Sequence, residues 1–288
     1  MRLGLFPGQG VPVRTVLAAL PSDHTLVKQA SEVLCYDLHK RVEQVARRER
    51  SIMPTSLAQP AIFTASLVSW HEFSDGCDVL LGHSVGEYAA LVAGRSMSFA
   101  QALCVVQVRS EAMQTAALEA NGGMVALVNL SFNDAQAIAE DSGLSIANDN
   151  APDQVVLAGG HDGLAQAASI ARARGGRAVR LDVTGPFHTS AIASAAPLLR
   201  DALEHISIRS PQLPVISNVT AAPYRAPGEI RKLLVEQLTS RVRFREALES
   251  LWHQGARDVH DFGPGRIVAG LAARTFDSLA GSVTTQAG

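Results

Sequence analysis

The chain has 288 residues, of which 47% are hydrophobic and 18% charged, and its formal net charge is -2. A chain of this length and composition buries enough apolar surface for one or two globular domains, which excludes a largely disordered protein. Because positive and negative charges nearly balance, the chain has no overall attraction to nucleic acid, and DNA or RNA binding is not expected.

No stretch reaches the ~18 consecutive apolar residues that a membrane helix needs, so no membrane association is expected. The N-terminal segment MRLGLFPGQG reaches proline and glycine before a signal-peptide core can form, which favours a cytoplasmic protein. The cysteines, Cys35, Cys77 and Cys104, contain no CxxC pair and indicate buried free thiols rather than disulfides or a zinc cluster.

The first predicted elements are two strands that each run into a glycine turn. Residues 2–6 form an apolar run that ends at Pro7-Gly8, which predicts a buried strand and a tight loop. Residues 59–73 carry apolar side chains at helical spacing after Gln59-Pro60, which predicts a helix. A second strand over 77–81 and a helix over 85–93 follow, joined by a sharp glycine-flanked turn.

From residue 122 to 185 short strands and helices follow in the order β-α-β-β-α-β, which is typical of a ferredoxin-like unit. We therefore expect residues 122–185 to form an inserted subdomain within a body made of residues 1–121 and 186–288. In the second body segment, strands over 213–218 and 256–262 flank helices over 227–238 and 244–254. Alternating strands and helices predict an α/β fold with a mostly parallel sheet in the body.

The residues Gly82 to Gly86 read GxSxG and lie between a predicted strand and a predicted helix, the context in which this motif exposes a nucleophilic serine. The glycines permit the tight turn, and amides at the helix start point to where an oxyanion would form. The plain structural alternative is a glycine-rich turn whose serine caps a helix.

A nucleophilic serine needs a base, and the chain has nine histidines. His83 adjoins Ser84, but neighbours on a sharp turn point apart, so packing or hydrogen bonding is its expected role. His188 lies in a Gly-Pro loop where the predicted insert rejoins the body, and such junction loops line clefts. Taken alone, a single loop histidine is more often structural.

The chain resembles the malonyl-CoA:acyl-carrier-protein transacylases over residues 3 to about 275. The shared segments, in the same order, are Phe6 to Gly10, Gly82 to Tyr88, the VQVRSEAMQ segment around Arg109, Asn148 to Gly159, Pro186 to His188, Ser217 to Thr220 and Phe262 to Gly265. The resemblance implies an α/β-hydrolase-like body with a ferredoxin-like insert, in agreement with the element order.

The resemblance also implies roles for individual residues. Ser84 is expected to take an acyl group from a coenzyme A thioester, with His188 as its base, in two acyl transfers with ping-pong kinetics. The backbone amides of Gln9 and Val85 match the oxyanion hole. Arg109 matches the arginine that grips the free carboxylate of a malonyl group, since a guanidinium offers a planar two-point fit.

Three further positions match residues near the site of this family. Phe187, directly before His188, resembles the ring that favours malonyl over methylmalonyl units, although one methyl changes binding by only ~1 to 3 kcal/mol. Gln59 and Asn148 or Asn150 fall on motif positions near the site. Helix-start and turn roles are their equally good alternatives.

Two segments depart from the family pattern. Val11-Pro12 stands where Ser-Gln usually follows the first glycine loop, which affects the loop contacts but not the Gln9 amide. Residues 240–244 replace a more usual Asn-Pro-Val-Gln-Trp segment, whose backbone orients the catalytic histidine. Since a backbone carbonyl survives a change of side chain, the carbonyl of Arg243 is expected to orient His188, with no third carboxylate.

The implied partners are malonyl-CoA, with coenzyme A as part of the substrate and no metal or bound cofactor, and an acyl carrier protein as acceptor; a monomer is expected. Carrier proteins are acidic, so a basic rim is expected. Its candidates are Arg172, Arg174, Arg177 and Arg180, and Arg241, Arg243 and Arg245.

Three alternatives stay open at this stage. The same serine turn would serve a thioesterase or esterase, with a late histidine such as His260 beside Asp258 and Asp261. A carrier-binding module without activity is disfavoured because Ser84 and His188 are both present. An acyltransferase for a different acyl group is the strongest alternative.

Overall fold

The computed structural model describes residues 1–48, 52–73 and 76–286, with side chains described up to residue 281. The strands are β1 (Arg2–Phe6), β2 (Val79–Gly82), β3 (Gly122–Val128), β4 (Ser145–Ala151), β5 (Gln154–Gly160), β6 (Arg177–Arg180), β7 (Val215–Ile216), β8 (Val242–Arg243) and β9 (Asp258–Asp261). The helices are α1 (Val13–Ala18), α2 (Thr25–Leu34), α3 (Leu38–Ala46), α4 (Thr55–Glu72), α5 (Gly86–Ala93), α6 (Phe99–Ala120), α7 (Phe132–Asp141), α8 (His161–Ala173), α9 (Ala196–Glu204), α10 (Pro227–Glu236), α11 (Phe244–His253) and α12 (Ile267–Gln286), with a 3-10 helix over Ser190–Ala195.

The first sheet contains four strands in the order β7-β2-β1-β9, and every pairing is parallel. Parallel sheets are covered on both faces, and the strands β1 and β2 accordingly consist of buried apolar residues apart from Arg2 and two glycines. Since the strands run the same way, the turns after β1 and β2 meet at one edge. Ligands of open α/β sheets bind at this carboxyl edge.

The second sheet has the order β6-β3-β5-β4-β8. The pairs β3-β5, β3-β6 and β4-β5 are antiparallel, whereas β8 pairs with β4 in parallel. Because β8 comes from residues 242–243, this sheet draws one strand from outside the predicted insert 122–185. The α/β class with a parallel sheet is confirmed, while the domain boundaries stay a prediction.

The central helices are buried on nearly all sides. Residues 57–68 of α4 and most of α5 lie in the main apolar core, together with the inward face of α6. Helix α4 begins at Thr55, before the predicted start at Gln59, so that Pro60 lies inside it. Pro60 has no N–H for the carbonyl of Ser56; the Ser110 hydroxyl lies 3.4 Å from that carbonyl oxygen but is closer, at 2.8 Å, to the Gln107 carbonyl of its own helix.

Two further expectations needed correction. The predicted strand over 213–218 is limited to Val215–Ile216, because Ser217 closes a turn through its hydrogen bonds with Ala221 and Ala222. Only Cys77 is a buried thiol; Cys35 and Cys104 are exposed.

Within the described residues, no helix combines the length and the apolar character that crossing a bilayer requires.

The close approach of α5 to β1 makes Gly86 a sensitive position. A Cβ at Gly86 would lie 2.2 Å from the Phe6 carbonyl oxygen. This oxygen belongs to the backbone, so it cannot move away by a change of side-chain rotamer. We expect Gly86→Ala to lower the free energy of unfolding by ~3 kcal/mol or more, measured by urea denaturation.

Gly228→Ala is the matched control, because no atom lies within 4 Å of a Cβ at this helical glycine. Its unfolding free energy should stay within about 1 kcal/mol of wild type or rise. Equal losses in the two variants would show that the contact between α5 and β1 is not close-packed.

Candidate active site

Ser84 lies in the turn between β2 and α5, with a left-handed backbone at φ 51°. Its amide donates to the Asn218 side-chain oxygen at 2.7 Å, and the Asn218 amide group donates to the Gly82 carbonyl at 2.6 Å. A Cβ at Gly82 would lie 2.1 Å from the Glu87 nitrogen, so only glycine fits there. Such positive-φ residues cost free energy and cluster at functional sites, where they aim a side chain.

The structure brings His188 onto Ser84. Nε2 of His188 lies 2.8 Å from the Ser84 hydroxyl oxygen, and Nδ1 lies 2.8 Å from the Gln237 carbonyl oxygen. Since a carbonyl only accepts, Nδ1 carries the hydrogen and the lone pair of Nε2 faces the serine hydroxyl. Burial, reinforced by the Arg109 charge, lowers the pKa of His188 to about 3, so the ring is neutral at neutral pH.

The carbonyl that orients His188 belongs to Gln237, and the expectation that Arg243 supplies it is wrong. Gln237 ends α10, and the last carbonyls of a helix are free to accept from outside it. Arg243 instead donates its amide to the Asn218 carbonyl at 2.9 Å and pairs its guanidinium with Glu246.

Arg109 on α6 is completely buried beside the serine. Its Nη2 lies 3.1 Å from the Ser84 hydroxyl oxygen and 2.8 Å from Oε1 of Gln237, and Nη1 donates to the side chain of Gln59. Burial lowers the pKa of Arg109, though a guanidinium stays protonated in proteins. Among the described residues, no carboxylate lies within ion-pair distance of it.

The loop after β1 covers the other side of the serine. A Cβ at Gly8 would lie 3.5 Å from Cβ of Ser84, and the Gln9 side chain links Thr55 at 3.3 Å to Gln59 at 3.4 Å. The backbone amides of Gln9 and Val85 find no acceptor within the part of the chain that the structure describes. Two free amides beside a serine are what a developing oxyanion requires.

A cavity of about 520 Å³ opens next to the serine turn. Its lining includes polar Gln9, His83 and Asn150 and apolar Val11, Ile62 and Val156. One part can hold the polar end of a ligand while the other receives a flexible apolar chain.

Phe187 is buried directly before His188.

Asn150 rather than Asn148 faces the cavity. His83 Nε2 lies 2.8 Å from the Asn150 side-chain oxygen, whereas Asn148 is not among the described residues that line the cavity. The pairing of β4 with β5 shifts register on both sides of Asn148, and bulges of this kind turn side chains away from simple alternation. As expected, His83 has a hydrogen-bonding role, and burial lowers its pKa.

Sequence reasoning gave no role to Glu87, Gln237 or Tyr224. Glu87 is fully buried, and its carboxylate accepts from the Tyr224 hydroxyl at 2.5 Å, from the Asn218 amide at 3.1 Å and from the Gln237 side chain. Burial raises the pKa of Glu87 to about 7. Glu87 and Asn218 lie within the motifs that carried the resemblance, whereas no signal marked Gln237.

His260, the alternative base, lies elsewhere. Its Nε2 is 3.2 Å from Asp258, and its ring packs on Phe73 and Phe262.

The described residues contain no group of three or more His, Cys, Asp or Glu side chains arranged to hold a metal ion.

Comparison with known proteins gives concordant results. The model of the acyl transferase domain family matches residues 5–287. The malonyl CoA-acyl carrier protein transacylase of Haemophilus influenzae is 34% identical over 289 residues, covering 96% of this chain and 92% of that protein.

Two solved structures are similar over nearly the whole chain. The malonyl CoA-acyl carrier protein transacylase of Coxiella burnetii superposes with a TM-score of 0.87 at 32% identity, covering 95% of this chain and 90% of that one. A malonyl-transacylase solved in complex with its type II PKS acyl-carrier protein has a TM-score of 0.85 at 32% identity, covering 96% of this chain and 93% of that one.

Asn218 offers a test of the serine turn. Asn218→Ala removes the acceptor of the Ser84 amide and the donor to Gly82. We expect the free energy of unfolding to fall by about 2 kcal/mol or more, because buried polar groups lose their partners. Asn133→Ala, at an exposed position of α7, is the control. A loss no larger than that of the control would show that Asn218 does not hold the turn.

Proposed function

The chain belongs to the acyl transferase domain family, and we propose that it moves a malonyl group from malonyl-CoA to the phosphopantetheine thiol of an acyl carrier protein, in fatty acid or polyketide synthesis. The transfer proceeds through an acyl-serine at Ser84. The observation that carries the proposal is a buried guanidinium that has no directly bonded carboxylate and lies against a serine already hydrogen-bonded to a neutral histidine.

In the first half-reaction Ser84 attacks the thioester carbonyl of malonyl-CoA. His188 Nε2 takes the hydroxyl proton as the C–O bond forms, and the Gln237 carbonyl stabilises the resulting imidazolium through Nδ1. When the tetrahedral intermediate collapses, the C–S bond breaks and the coenzyme A sulfur leaves with the proton from His188. The serine now carries the malonyl group as an ester.

The amides of Gln9 and Val85 would receive the oxyanion of that intermediate. Both are backbone donors on turns held by close glycine contacts, so they need no reorganisation during the reaction. Losing one such donor typically costs ~100- to 1000-fold in rate.

Arg109 would hold the free carboxylate of the malonyl group. Its present acceptors, the side-chain oxygens of Gln59 and Gln237, are neutral. A carboxylate that replaces them gains two charge-assisted hydrogen bonds in a buried setting, where such bonds are strongest. An acetyl group has no second carboxylate to offer, so selectivity for a dicarboxylic acyl group follows.

The second half-reaction repeats the chemistry in reverse with a different thiol. The phosphopantetheine thiol of the carrier gives its proton to His188 and attacks the ester carbonyl, and the C–O bond to Ser84 breaks as the serine recovers a proton from His188. The cavity lined by His83, the residue before Ser84, has an apolar wall that suits the flexible arm that delivers each thioester. Phe187 as the residue that disfavours an α-methyl group, like the monomeric state and the cytoplasmic location, stays a prediction.

We expect brief mixing with malonyl-CoA to add one malonyl mass to the protein, read by intact-protein mass spectrometry. Ser84→Ala should give no adduct. Arg109→Ala should form the malonyl adduct about 100-fold more slowly, because two charged hydrogen bonds are lost. Arg200→Ala, at an exposed position of α9, should match wild type.

The competing functions give different results in the same experiment. Steady release of coenzyme A without an adduct would identify a hydrolase. Labelling by acetyl-CoA in preference to malonyl-CoA would remove the role of Arg109 and indicate a different acyl group.

The acidic carrier protein would dock near β6. The other predicted arginine cluster, Arg241, Arg243 and Arg245, is less suited to bind it. Arg241, Arg243 and Arg245 are paired with carboxylates of the same chain, Glu246, Asp149 and Glu249. By contrast, Arg172 and Arg177 are exposed and form no ion pair within the described residues, and Arg180 on β6 lines the cavity. Exposed positive charges without an ion-pair partner attract a negatively charged protein.

The double substitution Arg172→Glu and Arg177→Glu should raise KM for the carrier protein roughly tenfold at low salt, with a smaller effect at high salt. Acylation by malonyl-CoA should be unchanged. The double substitution Arg200→Glu and Arg209→Glu, at two other exposed positions, is the control with the same change of net charge. An unchanged KM for the carrier would place its docking surface elsewhere.

A further inference from the structure

We propose that Glu87 is a positioning residue. Its buried carboxylate acts through the side-chain amide of Gln237 to orient Arg109. The carboxylate also compensates the positive charge of Arg109 without bonding to the guanidinium directly. The inference rests on the malonyl transfer proposed above. The Glu87 side chain forms no hydrogen bond with Ser84 or His188 and does not line the cavity, so it acts only through its neighbours; only its backbone amide contacts the serine, at 3.1 Å from the Ser84 carbonyl oxygen.

The carboxylate of Glu87 is fully buried and fully engaged. Oε1 accepts from the Tyr224 hydroxyl and the Asn218 amide, at 2.5 Å and 3.1 Å, and Oε2 accepts from the Gln237 side chain. A buried carboxylate is expensive unless hydrogen bonds and opposite charge compensate it. The nearest source of positive charge is Arg109, which faces the same glutamine from the other side.

Gln237 can connect these two charges in only one orientation. Its amide oxygen accepts from Arg109 Nη2 at 2.8 Å, while its amide nitrogen donates to Glu87 and to the Ser84 carbonyl, the latter at 3.1 Å. A guanidinium only donates and an ionised carboxylate only accepts. The carboxylate and the Ser84 carbonyl, which both only accept, therefore hold the amide nitrogen on their side and leave the amide oxygen facing Arg109.

This arrangement leaves the arginine available to a substrate. A carboxylate bonded directly to Arg109 would satisfy it and compete with the malonyl group. With one amide between them, Glu87 still stabilises the buried positive charge through space, whereas the direct acceptors of Arg109 are neutral amides that a carboxylate displaces.

Gln237 also joins the carboxylate site to the base. Its backbone carbonyl orients His188, and its side chain holds both Arg109 and the Ser84 carbonyl. A change at Glu87 that turns this amide acts first on Arg109, because the backbone carbonyl is held by the end of α10. The expected signature is a loss of selectivity between malonyl and acetyl groups.

The test compares rates of Ser84 acylation by malonyl-CoA and by acetyl-CoA. Glu87→Gln removes the negative charge behind Gln237 and replaces one of the two acceptor oxygens by an N–H donor, so the hold on the Gln237 amide weakens and Arg109 loses its charge compensation. We expect the malonyl-to-acetyl rate ratio to fall about 10- to 100-fold, the effect of one charged hydrogen bond. Glu140→Gln is the matched control, since Glu140 also accepts from a glutamine, Gln136, at an exposed position.

A second variant separates positioning from folding. The exchange Glu87→Gln with Gln237→Glu restores a donor facing an acceptor, but it places the carboxylate directly on Arg109. We expect folding stability to recover toward wild type while the malonyl-to-acetyl ratio stays low. Recovery of the ratio together with stability would show a merely structural role and overturn the proposal, as would a ratio in Glu87→Gln within threefold of wild type.

The pH dependence of the wild-type enzyme gives a further readout. Since the pKa of Glu87 is raised to about 7, its carboxylate gains a proton as the pH falls from 8.5 to 5.5, and the ratio should fall with it. The titratable groups that face Glu87 are Arg109, Tyr88 and Tyr224, which keep their protons throughout this range. The pKa of His188 is lowered to about 3, so it does not titrate there.

A ratio that falls with pH equally in wild type and in Glu87→Gln would overturn the proposal, because the group that titrates would then not be Glu87. Failure of the proposal is distinguishable from failure of the proposed function, which would appear as a wild-type protein that forms no malonyl adduct at any pH.

Discussion

The tight turn between β2 and α5 is the constraint from which the rest of the site follows. Gly82 lets the start of α5 approach β2, Gly86 lets it approach the end of β1, and Ser84 between them is left with a positive φ. That conformation costs free energy, which the hydrogen bonds of Asn218 to both sides of the turn offset. The serine hydroxyl is thereby held at the carboxyl edge of the sheet, where the loop after β1 also ends.

A buried positive charge gives this serine its expected selectivity. The neutral side-chain amides of Gln59 and Gln237 contact the Arg109 guanidinium directly, and the Glu87 carboxylate lies on the other side of Gln237. Burial keeps water away and strengthens every contact there, and it also makes the pKa values of Glu87 and His188 depart from their usual range. Gln237 contributes to both catalysis and recognition, because its backbone carbonyl orients His188 and its side chain contacts Arg109.

Much of the fold could be predicted because its signals are local. The apolar run before Pro7-Gly8, the strand before Gly82 and the alternating elements after residue 122 each have a period or a turn that a short window contains. The predictions failed where a distant partner decides. Pro60 lies inside α4, whose residues 57–68 are buried against distant parts of the chain, and β8 joins β4 only after the chain folds back.

The sequence by itself determined the α/β class, the serine turn and, through ordered motifs, the residues Ser84, His188 and Arg109 that the structure brings together. Only the tertiary structure decided that Gln237 rather than Arg243 orients the histidine, that Asn150 rather than Asn148 faces the cavity, and that Glu87 lies behind the arginine. A helix-end carbonyl, a bulge and a buried carboxylate depend on which segments meet in space. Residue types and spacing along the chain do not contain that information.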